Sequence, residues 1–142
     1  MSDEGIGVRI LEALQDLKDG PSGVDFLDSG NSGMRILHSL EGRQKVVFVD
    51  CAFMESPPGT LRRFTPAEVE TRKVLPRLSL HEGDLLQTLE LAGRLGILPD
   101  EVVLIGIQPL SVEPGDGITP ELAGNFDRYV RTVLDELKGK NT

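Results

Sequence analysis

The spacing of apolar positions changes several times along the chain, and each change marks an element. Between residues 3 and 18, Ile6, Ile10, Leu14 and Leu17 recur three or four apart with Leu11 beside them, which predicts a helix. Ser2 or Asp3 can cap its start, and Gly20 with Pro21 stops it. Gly5 and Gly7 weaken its first turn, where glycine commonly lets another backbone or a ligand come close. Residues 23–28 predict a short strand ending in Asp28, followed by the turn-forming run Ser29 to Gly33 and a short helix from Met34 to about Leu40. Val46, Val47, Phe48 and Val49 then form an apolar run without polar alternation, the signature of a strand buried on both faces. That run ends in Asp50.

Pro57, Pro58 and Gly59 punctuate the next loop. Thr60 to Phe64 predicts an edge strand, because Arg62 and Arg63 suit a sheet's rim. Residues 65–80 hold Pro66 and Pro76 and show little periodicity, so they predict a long loop. After His81, the residues Leu85, Leu86, Leu89, Ala92 and Leu95 share one helical face that Gly96 closes. Glu101–Ile107 is a second apolar strand. A loop rich in Pro and Gly leads to Thr119 as N-cap and Pro120 at the first position of a last helix, carried by Leu122, Phe126, Tyr129 or Val130, Val133 and Leu137. Helices alternating with strands predict an α/β fold in three layers: a mostly parallel sheet, helices on both faces, and room for one antiparallel edge strand.

The 142 residues suffice for one domain with a real core, here taken as 1–138 with a polar tail at 139–142. Charge narrows the partners: 15 basic against 23 acidic residues leave a net −8, which argues against nucleic acid and anionic membranes. A local basic face is still available from Arg62, Arg63, Arg72, Lys73 and Arg77. No apolar run nears the roughly 18 residues of a membrane span, and the start lacks the pattern of a secretory signal. With Cys51 as its one cysteine the chain forms no disulfide framework. A cytoplasmic protein is expected.

Asp50 is the sharpest chemical signal. An ionised carboxylate at the end of a buried strand needs a mouth, a partner or a metal, and in open α/β sheets ligands gather beyond the carboxyl ends of strands. Glu4 and His81 open helices, and Asp28 ends a strand, so all four can meet on one edge. Carboxylates with an imidazole suit nickel, zinc, iron or manganese and leave positions open for a substrate. Each residue also has a plainer role. Glu4 favours a helix start, Asp28 an Asx-turn and His81 a cap. Glu82 and Asp84 either orient the His81 ring or favour that helix start. His38 reads as structural and Cys51 as a buried, inert thiol. The chain lacks a Gly-x-Ser-x-Gly elbow, a phosphate loop, a His-Glu-x-x-His motif and paired zinc cysteines.

Several runs occur together in a telling order: Asp3 to Arg9, Asp28 to Gly33, Val47 to Ala52, Pro58 to Thr60, Ser79 to Glu82, and Val103 to Pro109 with Glu113 and Pro114. In this the chain resembles the hydrogenase maturation proteases, endopeptidases that trim the C-terminus of nickel-iron hydrogenase large subunits. The resemblance implies that Glu4, Asp50 and His81 contact metal, and that Asp28, in a turn where Ser29 replaces the family's first Gly, serves recognition or cleavage. It implies nickel supplied by the substrate, the large-subunit precursor, as a checkpoint before a short C-terminal extension is cut. Catalysis would run through a metal-polarised carbonyl or activated water, or through carboxylates acting as in aspartic peptidases. A metal- or partner-sensing chaperone and a small-molecule metallohydrolase are the alternatives. Family members also begin with a hydrophobic strand and a glycine-rich turn, where this chain has only Met1 and Ser2. The expectation is that Met1 is an internal methionine or a boundary set within a longer chain, or that a strand from a second copy fills the gap.

Overall fold

A computed structural model describes residues 2–17, 20, 22–28, 33–68, 77–78, 84–113, 115 and 117–139. Its helices are α1 (Ile6–Gln15), α2 (Gly33–Leu40), α3 (Asp84–Leu95), α4 (Pro120–Ala123) and α5 (Phe126–Leu137). Its strands are β1 (Lys45–Phe53), β2 (Leu61–Phe64), β3 (Arg77–Leu78) and β4 (Glu101–Ile107). They form one sheet in the order β2-β4-β1-β3. β1 and β4 run parallel, from Lys45 opposite Glu101 to Cys51 opposite Ile107. β2 joins β4, and β3 joins the end of β1, both antiparallel. The expected mostly parallel sheet is therefore mixed: one long parallel pair is flanked by two short antiparallel strands.

The two long strands are apolar on both faces, and both faces are used. Val47 and Val49 pack with Val103, Ile105 and Ile107 against Ile6, Ile10 and Leu14 of α1, Leu122 of α4, and Tyr129 and Val133 of α5. Val46 and Phe48 pack with Val102 and Leu104 against Ile36 and Leu40 of α2 and Leu85, Leu89 and Ala92 of α3. Burying one such aliphatic side chain stabilises by roughly 1.5–3 kcal/mol, so these clusters supply most of the driving force. None of the helices of the described residues is long and apolar enough to cross a membrane.

β4 is buried from Val102 onward, whereas Lys45 to Val49 of β1 are only half-buried. The cause is a groove of about 840 Å³ lined by β1 and by residues 22–28. That groove also explains why the expected strand at 23–28 does not form. Residues 24–28 take no strand conformation; Phe26 is held by packing on the core rather than by a ladder. Asp28 thus ends an irregular segment. Asp50 does not end its strand either, because β1 continues to Phe53. The last helix is broken as well. Gly124 and Asn125, both poor helix formers, separate α4 from α5, and the Asn125 side chain donates to the Glu121 carbonyl at 2.9 Å.

One ionic cluster lies at the amino end of β1. Glu136 of α5, 1% exposed, accepts from Lys45 Nζ at 2.8 Å and from Arg63 Nε at 2.5 Å. Arg63 therefore belongs to an internal pair and not to a basic face; Arg72 and Lys73 lie outside the described residues. Burial alone would raise the Glu136 pKa, but the hydrogen bonds and charges of Arg63 and Lys45 outweigh it and hold the carboxyl below its ordinary 4.5. A depressed carboxyl contributes stability above the unfolded value and loses it as pH falls through the folded one. Denaturant melts should thus show stability flat in this contribution above pH 4.5 and declining below it. Glu136→Gln, which leaves two cations facing an amide, should cost about 2–3 kcal/mol at pH 7 and flatten that decline.

Candidate active site

The carboxyl-end rim of the sheet is assembled around two buried polar side chains, Asp3 and Gln108. Asp3, 0% exposed, accepts from the backbone N–H groups of Leu110 (2.8 Å), Ser111 (3.1 Å) and Thr119 (2.8 Å) and from the Thr119 hydroxyl (2.9 Å). Burial pushes its carboxyl up, but these bonds outweigh it and hold the pKa below the ordinary carboxylate value. The expected caps are accordingly not made: neither Ser2 nor Asp3 caps the start of α1 through its side chain, and Thr119 precedes α4 while its hydroxyl turns to Asp3.

Gln108, directly after β4, accepts at Oε1 from the backbone N–H groups of Met54 (2.6 Å) and Ser56 (3.4 Å). Between them Glu55 sits at φ 53, a left-handed conformation that a non-glycine residue adopts only when its surroundings impose it. The Tyr129 hydroxyl donates to the Gly59 carbonyl at 2.7 Å, and burial holds that phenol above its ordinary value. Gly59, at φ 91 and facing the Glu121 carbonyl, has no room for a side chain. The loops at 54–60 and 108–119 and the turn Asp3–Gly5 are thus fastened to the sheet.

Asp50, 8% exposed and opposite Gly106, lies in the β1 half of this rim. A Cβ on Gly7 would stand 2.5 Å from the Val49 carbonyl oxygen and 3.7 Å from the Asp50 Cα, so α1 rests on the backbone beside Asp50 only because residue 7 is glycine. Gly5 meets no such neighbour. Asp28 and Asp50 both line the groove beside β1, along with Gly7 and Val8. Glu4 stands in the turn Asp3–Gly5. His81, with Glu82 and the turn from Ser29 to Ser32, lies outside the described residues. Among the described residues no three His, Cys, Asp or Glu side chains come together closely enough to hold a metal ion. Cys51 is buried, as expected, and forms no disulfide. Of the four candidates, then, the structure brings Asp28 and Asp50 to one groove.

Sequence reasoning assigned no role at this rim to Asp3 or Gln108. The signal for Gln108 was present: like Asp50 it is a polar residue closing an apolar run. For Asp3 no local signal existed, because its partners are more than a hundred residues away.

The groove, with Asp28 and Asp50 in its lining, and the mixed sheet define a small α/β domain with a cleft along its central strand β1. The chain belongs to the hydrogenase maturation protease family, whose profile matches residues 8–136. It is 32% identical over 142 residues to the hydrogenase 2 maturation protease of Escherichia coli K12, covering 97% of this chain and 84% of that protein. It is 31% identical over 137 residues to the hydrogenase expression/formation protein HupD of Thiocapsa roseopersicina, covering 96% of this chain and 62% of HupD. The chain thus spans about three-fifths of that relative's length. The solved structure of the hydrogenase maturating endopeptidase HybD from E. coli superposes with a TM-score of 0.84 at 29% identity, covering 99% of this chain and 87% of HybD.

The Gly7 contact yields a direct test. Gly7→Ala should force α1 off β1 and cost about 1–3 kcal/mol in denaturant melts, whereas Gly5→Ala should change stability by less than about 1 kcal/mol.

Proposed function

We propose that this chain is an endopeptidase that removes a C-terminal extension from the nickel-loaded large-subunit precursor of a nickel-iron hydrogenase. The observation that carries the reading is the pair Asp28 and Asp50 lining one groove in a member of this family. In this reading the precursor brings its own nickel, and Asp50, Glu4 and His81 are the side chains that meet it. Asp28, more exposed on the facing wall, contacts the peptide to be cut. Water attacks the scissile carbonyl, activated by the substrate's metal or by a carboxylate acting as base. A carboxyl group beside the scissile bond can supply the proton that the leaving amine takes. The protein works in the cytoplasm, where the thiol of Cys51 stays reduced.

The test is incubation with nickel-loaded and nickel-free precursor. Loss of a short C-terminal peptide should occur only with nickel. Asp50→Asn and His81→Ala should each lower the cleavage rate by about a hundredfold or more. Precursor bound but never cut would replace this reading with a metal-sensing chaperone. Hydrolysis of small esters or amides alone would point to a metallohydrolase.

The same reading extends to the fold. The part of the groove beside Val46 to Val49 is the seat of the first hydrophobic strand that family resemblance implies, and the end at Asp50 is left to the peptide. Half-buried Val46 to Val49 support this, because an apolar strand of that kind ordinarily has neighbours on both edges. A chain carrying six β-branched residues ahead of Met1 should unfold at higher denaturant concentration and bury Val47 and Val49. An unchanged midpoint would remove this strand from the account.

A further inference from the structure

Asp3 is the most heavily used buried polar group of the rim, and the proposed chemistry gives it no part. Its two carboxylate oxygens serve donors from both ends of the loop that follows β4: the N–H groups of Leu110 and Ser111 at one end, and the N–H and hydroxyl of Thr119 at the other. The backbone adds two more ties, from Asp3 N–H to the Ser111 carbonyl at 2.7 Å and from Ser2 N–H to the Gly117 carbonyl at 2.8 Å. The loop is therefore closed over the turn that carries Glu4. A carboxylate is the only side chain of this size that accepts at both ends. Asparagine would present its NH₂ to donors, leaving at least one of them buried and unpaired.

Hydrogen bonds to a charged acceptor are the strong kind, and a fully buried one does not exchange with water. The clamp thus ties the Asp3–Gly5 turn to Leu110 and Ser111 on one side and to Thr119 on the other. Chemistry at a rim of this sort is sensitive to displacements of about an ångström.

We infer that Asp3 is a positioning residue, whose carboxylate locks Leu110 and Ser111 at one end and Thr119 at the other to the Asp3–Gly5 turn and so fixes the backbone of that turn at the substrate rim. The inference rests on the endopeptidase reading for its catalytic consequence and on the hydrogen bonds alone for the clamp. The loop is then a fixed wall of the substrate rim, and a precursor docks against it without having to order it.

The experiment compares the wild-type chain with Asp3→Asn, Thr119→Val and Thr119→Ser. Amide hydrogen exchange at Leu110, Ser111 and Thr119 reads the clamp without substrate. It should accelerate at least tenfold in Asp3→Asn, less in Thr119→Val, and not in Thr119→Ser, which keeps the hydroxyl. With nickel-loaded precursor, kcat should fall at least tenfold in Asp3→Asn while KM changes less than threefold, and Thr119→Ser should match wild type. Should Asp3→Asn not fold, Thr119→Val carries the same comparison with a smaller expected fall. Faster exchange with wild-type kcat overturns the positioning role, as does a loss confined to KM. If the wild-type chain itself cuts nothing, the endopeptidase reading fails by that result. The clamp is then judged by amide exchange alone: a tenfold acceleration at Leu110, Ser111 and Thr119 in Asp3→Asn sustains it, and unchanged exchange overturns it.

Discussion

The parallel ladder between β1 and β4 is the constraint from which the other features follow. Seven consecutive residue pairs, Lys45 with Glu101 through Cys51 with Ile107, set its register. Both strands are apolar on successive residues, so neither face can be left to water, and α1 with α5 on one side and α2 with α3 on the other are needed as cover. A slip of one residue would exchange Val46 and Phe48 with Val47 and Val49 and would turn every core side chain to the wrong cluster. It would also carry Asp50 to the opposite face. The position of the carboxylate is thus set by the packing of its apolar neighbours, two and four residues away.

Polar groups are buried at both ends of this ladder, and each is compensated. At the amino end Glu136 is held by Lys45 and Arg63. At the carboxyl end Asp3 and Gln108 accept backbone N–H groups from three separate segments. No buried side-chain nitrogen or oxygen of the described residues lacks a hydrogen-bond partner. The two ends differ in what they fasten. The Glu136 cluster ties α5 to the strands β1 and β2, elements already held by apolar contact. Asp3 and Gln108 tie irregular backbone, which has little hydrophobic burial of its own and would otherwise open locally. Polar fastening is therefore concentrated where packing cannot do the task, at the rim that bears Asp50.

Much of the fold was legible in the residues. The run Val46 to Val49 and the run Val102 to Ile107 announced strands buried on both faces, and they are the paired core strands. The stripe Ile6, Ile10 and Leu14 announced α1, and Arg62 with Arg63 announced an edge strand, though not that Arg63 turns inward to Glu136. The segment 23–28 misled because a residue such as Phe26 signals burial without saying what buries it; here it is the core and not a ladder. The caps misled for a related reason. Asp3 and Thr119 are good local cap residues, but together they make a buried contact across 116 positions, which no window of local sequence contains. At the rim, Asp50 stood out because an acid following the apolar run Val46 to Val49 has no packing explanation, although the strand continues past it to Phe53. The convergence of Asp28 onto the same groove depends on tertiary packing.

Charge gives the endopeptidase reading its physical logic. The groove is lined by Asp25, Asp28 and Asp50 against Arg43 and Lys45, within a chain of net charge −8. A peptide segment ending in a free carboxylate meets repulsion there, and a bare extension should bind poorly. A divalent cation held by the same substrate reverses the sign of the interaction at the point of contact. In the endopeptidase reading, discrimination between loaded and empty precursor then needs no separate recognition element, because Asp28 and Asp50 would also disfavour a substrate that lacks its metal.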